Sequence, residues 1–299
     1  MKPDTRNFYF DVVTNVLRQL VAHLDESADL AALAQLAQLS PFHFHRVFRG
    51  MVGETALELL RRLRLERAAA ALRTSSAPVT QIAFAAGFET HEAFTRAFRT
   101  AYGEAPSGFR LNPRARPHLA APCGVHFDTR DVLAVFIPRD TGGAGMEITR
   151  QQLPAMRLAT VLHIGPFNQI GAAFDTLGAV AGRAGLFMHP GALMVATYDE
   201  DPEGKPAEEL RSRAGISLPE GVPIPDGLEE QRIAGGDYAC YTHVGGFELL
   251  GDVWSRFMGE ALPASGYLIA DGPALEIYRT DMRTTPKAEW RTDILVPVR

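Results

Sequence analysis

Apolar residues recur at helical spacing from the start of the chain. Val12, Val16, Leu17, Leu20 and Leu24 share one side of a helix over residues 7–24. Asp29 is placed to cap a second helix whose apolar side is Leu30, Leu33, Ala34 and Ala37. Ser40-Pro41 offers another cap, followed by proline at the first helical position, where a missing N–H costs nothing. The helix it starts runs to Arg49 and stops at Gly50 or Gly53. Residues 55–73 form a longer helix with Leu57, Leu60, Leu63, Ala68 and Ala71 on related faces, ended by the turn-prone TSSAP at 74–78. Short helices over 79–86 and 90–100 follow, divided by Gly87-Phe88 and closed near Gly103.

Beyond residue 111 the pattern changes. Pro113, Pro117, Pro122 and Pro138, with GGAG at 142–145, break any long periodicity and predict a linker over 113–145 holding one strand, Val132–Ile137. From Ala159 onward strand-like alternation takes over. A strand (TVLHI, later CYTHV), a glycine turn, an amphipathic helix (169–181, later 249–261) and two further strands follow in order, twice.

Both regions are thus internally duplicated. Phe44, Arg46, Phe48, Arg49, Gly53 and Glu54 recur 50 residues on as Phe94, Arg96, Phe98, Arg99, Gly103 and Glu104. Each copy follows a short helix and a tight turn, which makes each a helix-turn-helix unit. In the second region a shift of 80 residues, without a gap, brings His163, Gly165, Phe167, Gly171, Tyr198, Asp201, Pro206, Glu209 and Arg211 onto His243, Gly245, Phe247, Gly251, Tyr278, Asp281, Pro286, Glu289 and Arg291. The expected fold is multidomain. An all-α region with two helix-turn-helix units (1–112) and a linker (113–145) precede an α+β domain of two pseudo-symmetric halves (146–299). A cleft between such halves is where a ligand commonly sits.

Composition narrows the function. The 299 residues are 46% hydrophobic and 22% charged, the balance of a globular protein, and the apolar runs are far too short to span a bilayer. Residues 1–10 carry no leader pattern, and Cys123 and Cys240, without a CxxC, support neither a disulfide framework nor a cysteine zinc site. A cytoplasmic protein without metal or cofactor is expected. Residues 1–116 hold 15 Lys+Arg against 11 Asp+Glu, leaving 15 against 24 for the rest, so a basic region is joined to an acidic one. That asymmetry suits a nucleic-acid-binding module coupled to one that avoids phosphate.

In a helix-turn-helix the second helix enters the major groove and its first residues reach base edges. The first such helix offers Pro41, Phe42, His45 and Arg46; the second offers His91, Glu92, Thr95 and Arg96. Held by one rigid helix, the two could enter consecutive grooves about 34 Å apart. Arg61, Arg62, Arg64 and Arg67 are candidates for phosphate contact. Phe44, Val47, Phe48, Phe94 and Phe98 repeat with the apolar side and read as core. His43 and His45, two apart on a helix, point to opposite sides and are not a ligand pair.

Residues 30–110 resemble the AraC/XylS DNA-binding domain. Ile82, Gly87, Phe88, Phe94, Arg96, Phe98, Gly103, Pro106 and Arg110 match its I-A-x-x-x-G-F, F-x-R-x-F-R and G-x-x-P-x-x-F-R pattern, with Phe109 where tyrosine is usual. The resemblance implies transcriptional regulation on double-stranded DNA.

In the acidic domain the repeat acts as a control, because packing alone demands similar residues at equivalent positions. Tyr198 and Tyr278 persist in both halves and read as packing, and Trp254 has Phe174 as its mate. Glu276, however, stands where the first half has Ala196, and Trp290 where it has Leu210. The duplicated strand-glycine-helix form and the LEIY ending are similar to the GyrI-like effector-binding domain over residues 146–299. That resemblance implies an acidic residue in an aromatic pocket that meets cationic, lipophilic ligands: Glu276 as the anion, with Trp254, Tyr267, Tyr278 and Trp290 as candidate walls.

The leading expectation is a regulator whose C-terminal domain senses a small-molecule effector and alters DNA binding or RNA polymerase recruitment. One alternative makes that domain a hydrolase of reactive small molecules, with Glu276 in acid–base work. Another leaves it a protein-interaction module with Glu276 as a surface charge.

Overall fold

The computed structural model describes residues 5–139, 145–198 and 207–299. Asp201 and Pro206 of the repeat, and most of the GGAG segment, lie outside the described residues. The chain forms two compact units whose boundary does not follow the expected domain order. Of the described residues, 5–9, 30–50, 145–198 and 207–299 cluster into one unit, and 10–29 with 51–139 into the other.

The second unit is helical. It takes most of α1 (Arg6–Ala22), then α4 (Ala56–Thr74), α5 (Val79–Ala85), α6 (His91–Tyr102) and α7 (Pro106–Leu111). Thr55 starts α4 with a reciprocal capping box, its hydroxyl accepting from the Glu58 N–H while the Glu58 carboxylate accepts from the Thr55 N–H. Thr90 caps α6, and Gly103 ends it in the left-handed conformation that glycine adopts without strain. Leu65, Ala69, Leu72, Ile82, Phe94, Phe98 and Phe109 form the core of this unit.

The 113–139 stretch is no loose tether. Cys123 and Val125 are fully buried, and the buried Glu66 of α4 accepts from the Leu119 and Phe127 N–H groups and pairs with His126 Nδ1 at 3.0 Å. Val132–Val135, expected as a strand, is a single helical turn, α8, capped by Asp131. Four apolar residues carry too little periodicity to tell one from the other, and the Asp131 cap decides it.

The first unit holds α2 (Leu30–Leu36), α3 (Pro41–Val52) up to Gly50, and an eight-stranded antiparallel sheet. Its strands are β1 (Thr149–Leu153), β2 (Met156–Ile164), β3 (Met194–Tyr198), β4 (Arg211–Leu218), β5 (Glu229–Ile233), β6 (Gly236–Val244), β7 (Ala274–Tyr278) and β8 (Arg291–Pro297). Their order, β1-β6-β8-β7-β3-β4-β2-β5, reads the same from either end once the two halves are exchanged. Each half lends its first strand to the other half, so the halves interlock. The pseudo-twofold axis falls between Ala196 and Glu276, equivalent by the repeat and directly paired across β3 and β7.

β1 and β5 are absent from the sequence expectation because TRQQL and EEQRI have almost no apolar alternation; they are the sheet's edges. The turns after β2 and β6 carry Gly165 and Gly245 at φ +138° and +137°, each beside a histidine whose Nε2 donates to a turn carbonyl, His163 to Pro166 and His243 to Gly246. Those two histidines are structural.

The helix after β3's predecessor turn, α9 (Gly171–Arg183), is regular. Its counterpart is not: α10 (Leu250–Arg256) passes into a π-helical segment, Phe257–Ala261, and then α11 (Leu262–Ala264). Pro263 has no N–H for the Gly259 carbonyl, and the Leu262 N–H bonds back five residues to Phe257. Leu158, Val195, Tyr238, Leu275, Ile277 and Leu295 make the apolar core on one face of the sheet. Ala196, Tyr198, Glu276 and Tyr278 lie on the other by strand alternation.

Candidate functional sites

The second helix-turn-helix presents its reading helix to solvent. On α6 Glu92 and Arg96 are exposed, while His91 and Thr95 are half-buried and the Thr95 hydroxyl, sealed from solvent, is not presented to a base. Arg96 and Arg61 border a hollow of about 420 Å³ between α4 and α6, with Phe88, Ala97 and Thr100 among its other lining residues. Both arginines lie where a phosphate or base edge could be met.

The other α4 arginines are not available for phosphate. Arg62 is buried and gives a bidentate pair to Glu54 (2.6–3.1 Å) and a bond to Glu66 at 3.1 Å. Arg64 donates to the carbonyls of Leu24 and Glu26, and Arg67 to the Asp25 carboxylate and the Ala85 carbonyl. Each has been recruited to satisfy chain ends and carboxylates inside its own unit.

The first helix-turn-helix is placed differently. Pro41 is exposed, but Phe42 and His45 are buried and Arg46 is half-buried with its Nε sealed from solvent. The structure therefore does not present Phe42, His45 or Arg46 to a duplex. Phe42 and Arg46 turn towards the sheet domain, within one compact unit.

There Glu276, only 4% exposed, is held by three neutral donors. Trp254 Nε1 donates to one carboxylate oxygen at 2.7 Å, and the hydroxyls of Tyr278 (2.7 Å) and Tyr198 (2.9 Å) donate to the other. Phe174 and Phe247 each pack edge-on to Tyr278 at 5.2 Å, and Phe167 to Tyr198 at the same distance. Burial first and Glu276 second push both tyrosines well above the usual phenol range, so they stay protonated donors. Beside them, the cross-strand neighbours Ser212 and Thr292 are buried with hydroxyls that have no hydrogen-bond partner.

Among the described residues no cation is paired with this carboxylate. Arg46 instead lies over two aromatic faces, its guanidinium carbon 5.3 Å from the ring centres of both Trp254 and Phe42. Phe42 in turn stacks on Tyr198 at 6.2 Å and meets Trp254 edge-on at 6.4 Å. Burial draws the Arg46 pKa down, an effect the charge of Glu276 opposes. The buried His43, hydrogen-bonded to Ser40 Oγ at 3.0 Å, is pulled down to about 4 by burial and by Arg46.

Of the expected pocket residues the structure brings Glu276, Trp254 and Tyr278 together. Trp290 stands outside: it packs 4.8 Å from Phe247 and donates its indole N–H to Thr285. Tyr267 is not among the groups on Glu276. It is buried in the segment after α11, where its carbonyl accepts from the Tyr9 hydroxyl. Tyr198 and Phe167 went unrecognised, since a residue kept in both halves of a repeat reads as packing. The usable signal was their position: Tyr198 is the symmetry mate of Tyr278, two residues along the strand from the axis.

A helical region with two helix-turn-helix units, joined to an interlocked two-half sheet domain with a buried carboxylate at its axis, defines the class as a DNA-binding protein with a small-molecule domain. Residues 146–299 match the family model for the GyrI-like small molecule binding domain and residues 33–112 that for a helix-turn-helix domain. The chain belongs to the GyrI-like family, with an AraC-type helix-turn-helix region ahead of that domain.

Among relatives, the right origin-binding protein of Escherichia coli strain K12 is 31% identical over 102 residues, 34% of this chain and 35% of that one. The transcriptional regulator Rob of Salmonella typhimurium is 31% identical over 99 residues, 33% of this chain and 34% of that one. The DNA gyrase inhibitor of Klebsiella pneumoniae is 33% identical over 113 residues, 36% of this chain and 70% of that one. The match thus spans about a third of the length of the first two. Among the described residues no helix is long and apolar enough to cross a membrane.

Proposed function

We propose that the protein is a transcription regulator that reads a two-part DNA site through α3 and α6 and binds an organic, lipophilic cation at Glu276. The observation that carries the ligand reading is the environment of that carboxylate: buried, bonded only to neutral donors, and walled by aromatic rings. A carboxylate without a contacting cation, at the foot of ring faces, attracts a cation through its charge and through the ring quadrupoles together. Small inorganic ions lose more hydration than ring faces return, so the geometry favours a cation with an apolar body.

On DNA, Arg96 and Glu92, exposed on α6, meet base edges while Arg61 and the exposed start of α3 supply further contacts. Relatives named as an origin-binding protein and a transcriptional regulator support this reading, as does the doubled recognition unit. RNA polymerase is a further partner in this reading. Selection of duplexes from a randomised pool by the full chain tests the DNA half. Enrichment of a motif with two elements about one helical turn apart is expected; recovery of unenriched sequence would defeat it.

A further inference from the structure

The protein's own Arg46 occupies the place of the cation. We infer that α3 is a tethered pseudo-ligand of the Glu276 pocket, so that an organic cation and the seated recognition helix compete for one site and the cation releases α3 for DNA. The inference rests on the reading of Glu276 as a cation site and adds how that site is regulated.

Four observations converge. First, Arg46 puts its guanidinium on Trp254, the same ring whose N–H grips Glu276, and feels the Glu276 charge without bonding to it. Second, Phe42, one turn earlier on α3, fills the remaining ring space against Tyr198, Trp254 and Phe167. Third, α3 approaches the sheet domain backbone to backbone. A Cβ on Gly50 would overlap the Cα of Gly259, and a Cβ on Gly259 would overlap the Gly50 backbone, so only glycine at both positions permits the contact. Gly259 sits in the π-helical segment that distinguishes the second half-domain from the first.

The fourth is the repeat. Under the 80-residue shift Trp254 replaces Phe174, Gly259 replaces Ala179 and Glu276 replaces Ala196. The second half departs from the first at Trp254 and Gly259, two of the positions that receive α3, and at Glu276 beside them.

The seat is also reversible in character. The Arg46 Nε is buried without a hydrogen bond, and the guanidinium is held by ring faces rather than by a carboxylate fork. An incoming cation that satisfies the same rings and lets Arg46 return to water replaces a partly unsatisfied group by a satisfied one. In the seated state the cation's affinity is reduced by the fraction of molecules whose pocket is open.

The test is a tetraphenylphosphonium titration of the full chain by calorimetry, with hydrogen exchange of residues 41–50 followed alongside. The variants are Arg46→Met, which keeps the side-chain length without the charge, and Gly259→Leu, which prevents the backbone approach without touching α3 or the carboxylate. Both variants should bind the cation at least tenfold more tightly than the wild type, and in the wild type the cation should raise exchange over 41–50. Cation binding of equal strength in all three proteins, with 41–50 still protected, would overturn the pseudo-ligand while leaving the pocket reading intact. Absence of binding in all three would overturn both.

Discussion

The guanidinium of Arg46 and the indole of Trp254 lie 5.3 Å apart, and each belongs to a different function of the chain. Arg46 stands in the recognition helix of the first helix-turn-helix; Trp254 donates to the Glu276 carboxylate. Their contact ties α3 and the sheet domain into one compact unit. Coupling between two sites requires a shared element with two arrangements, and in the proposed mechanism α3 is that element.

Trp254→Phe keeps a ring under Arg46 but deletes the 2.7 Å donor to Glu276. Leaving that carboxylate oxygen unpaired should destabilise the protein by about 1–3 kcal/mol. Urea unfolding of the variant measures it. An unfolding midpoint that does not move, at unchanged slope, would mean that solvent reaches Glu276.

Arg96, exposed on α6, should contribute to DNA affinity without supporting the fold. Arg96→Ala should weaken binding to a selected duplex by about 1–3 kcal/mol at matched salt, with an unchanged unfolding midpoint. By contrast Arg62→Ala should leave its effect in stability, because Arg62 is tied to Glu54 and Glu66.

Glu66 is wholly buried and holds Arg62, His126 and two backbone N–H groups of the 113–139 segment. Glu66→Ala should cost about 3–5 kcal/mol, the usual penalty for stranding one partner of a buried pair. Limited proteolysis should then cut within 113–139, a segment that stays resistant in the parent.

Acid should loosen α3. The folded His43 is held down to about 4 against an ordinary value of 6.5, so between those two pH values the unfolded chain binds a proton that the folded chain refuses. Stability is therefore complete above about pH 6.5 and falls as pH drops towards 4, by an amount on the order of 3 kcal/mol. Unfolding followed at pH 7.5 and pH 5 should show about 2 kcal/mol of this loss, and His43→Gln should lessen it.

Much of this architecture was legible in the sequence. The two repeats fixed both helix-turn-helix units and the two-half domain, because duplication imposes matching residues on matching turns: Gly53 and Gly103 both take positive φ, as do Gly165 and Gly245. Glu276 stood out as the charge the other half lacks. What stayed hidden depends on tertiary contact. TRQQL and EEQRI have no apolar pattern because edge strands bury little; Arg62, Arg64 and Arg67 look like phosphate ligands until their carboxylate and carbonyl partners are in place. Phe42 and Arg46 read as DNA contacts because a recognition helix has that composition, and nothing local shows that the same side chains pack on Tyr198 and Trp254, rings supplied far along the chain.

The central claim is that Glu276 is the anion of a cation pocket, and calorimetry on the full chain tests it most directly. Tetraphenylphosphonium should bind the wild type, and Glu276→Gln, which keeps the shape and an acceptor oxygen for its donors, should bind it at least tenfold more weakly, or about 1.4 kcal/mol. Equal affinity of the two proteins for this cation would contradict the account.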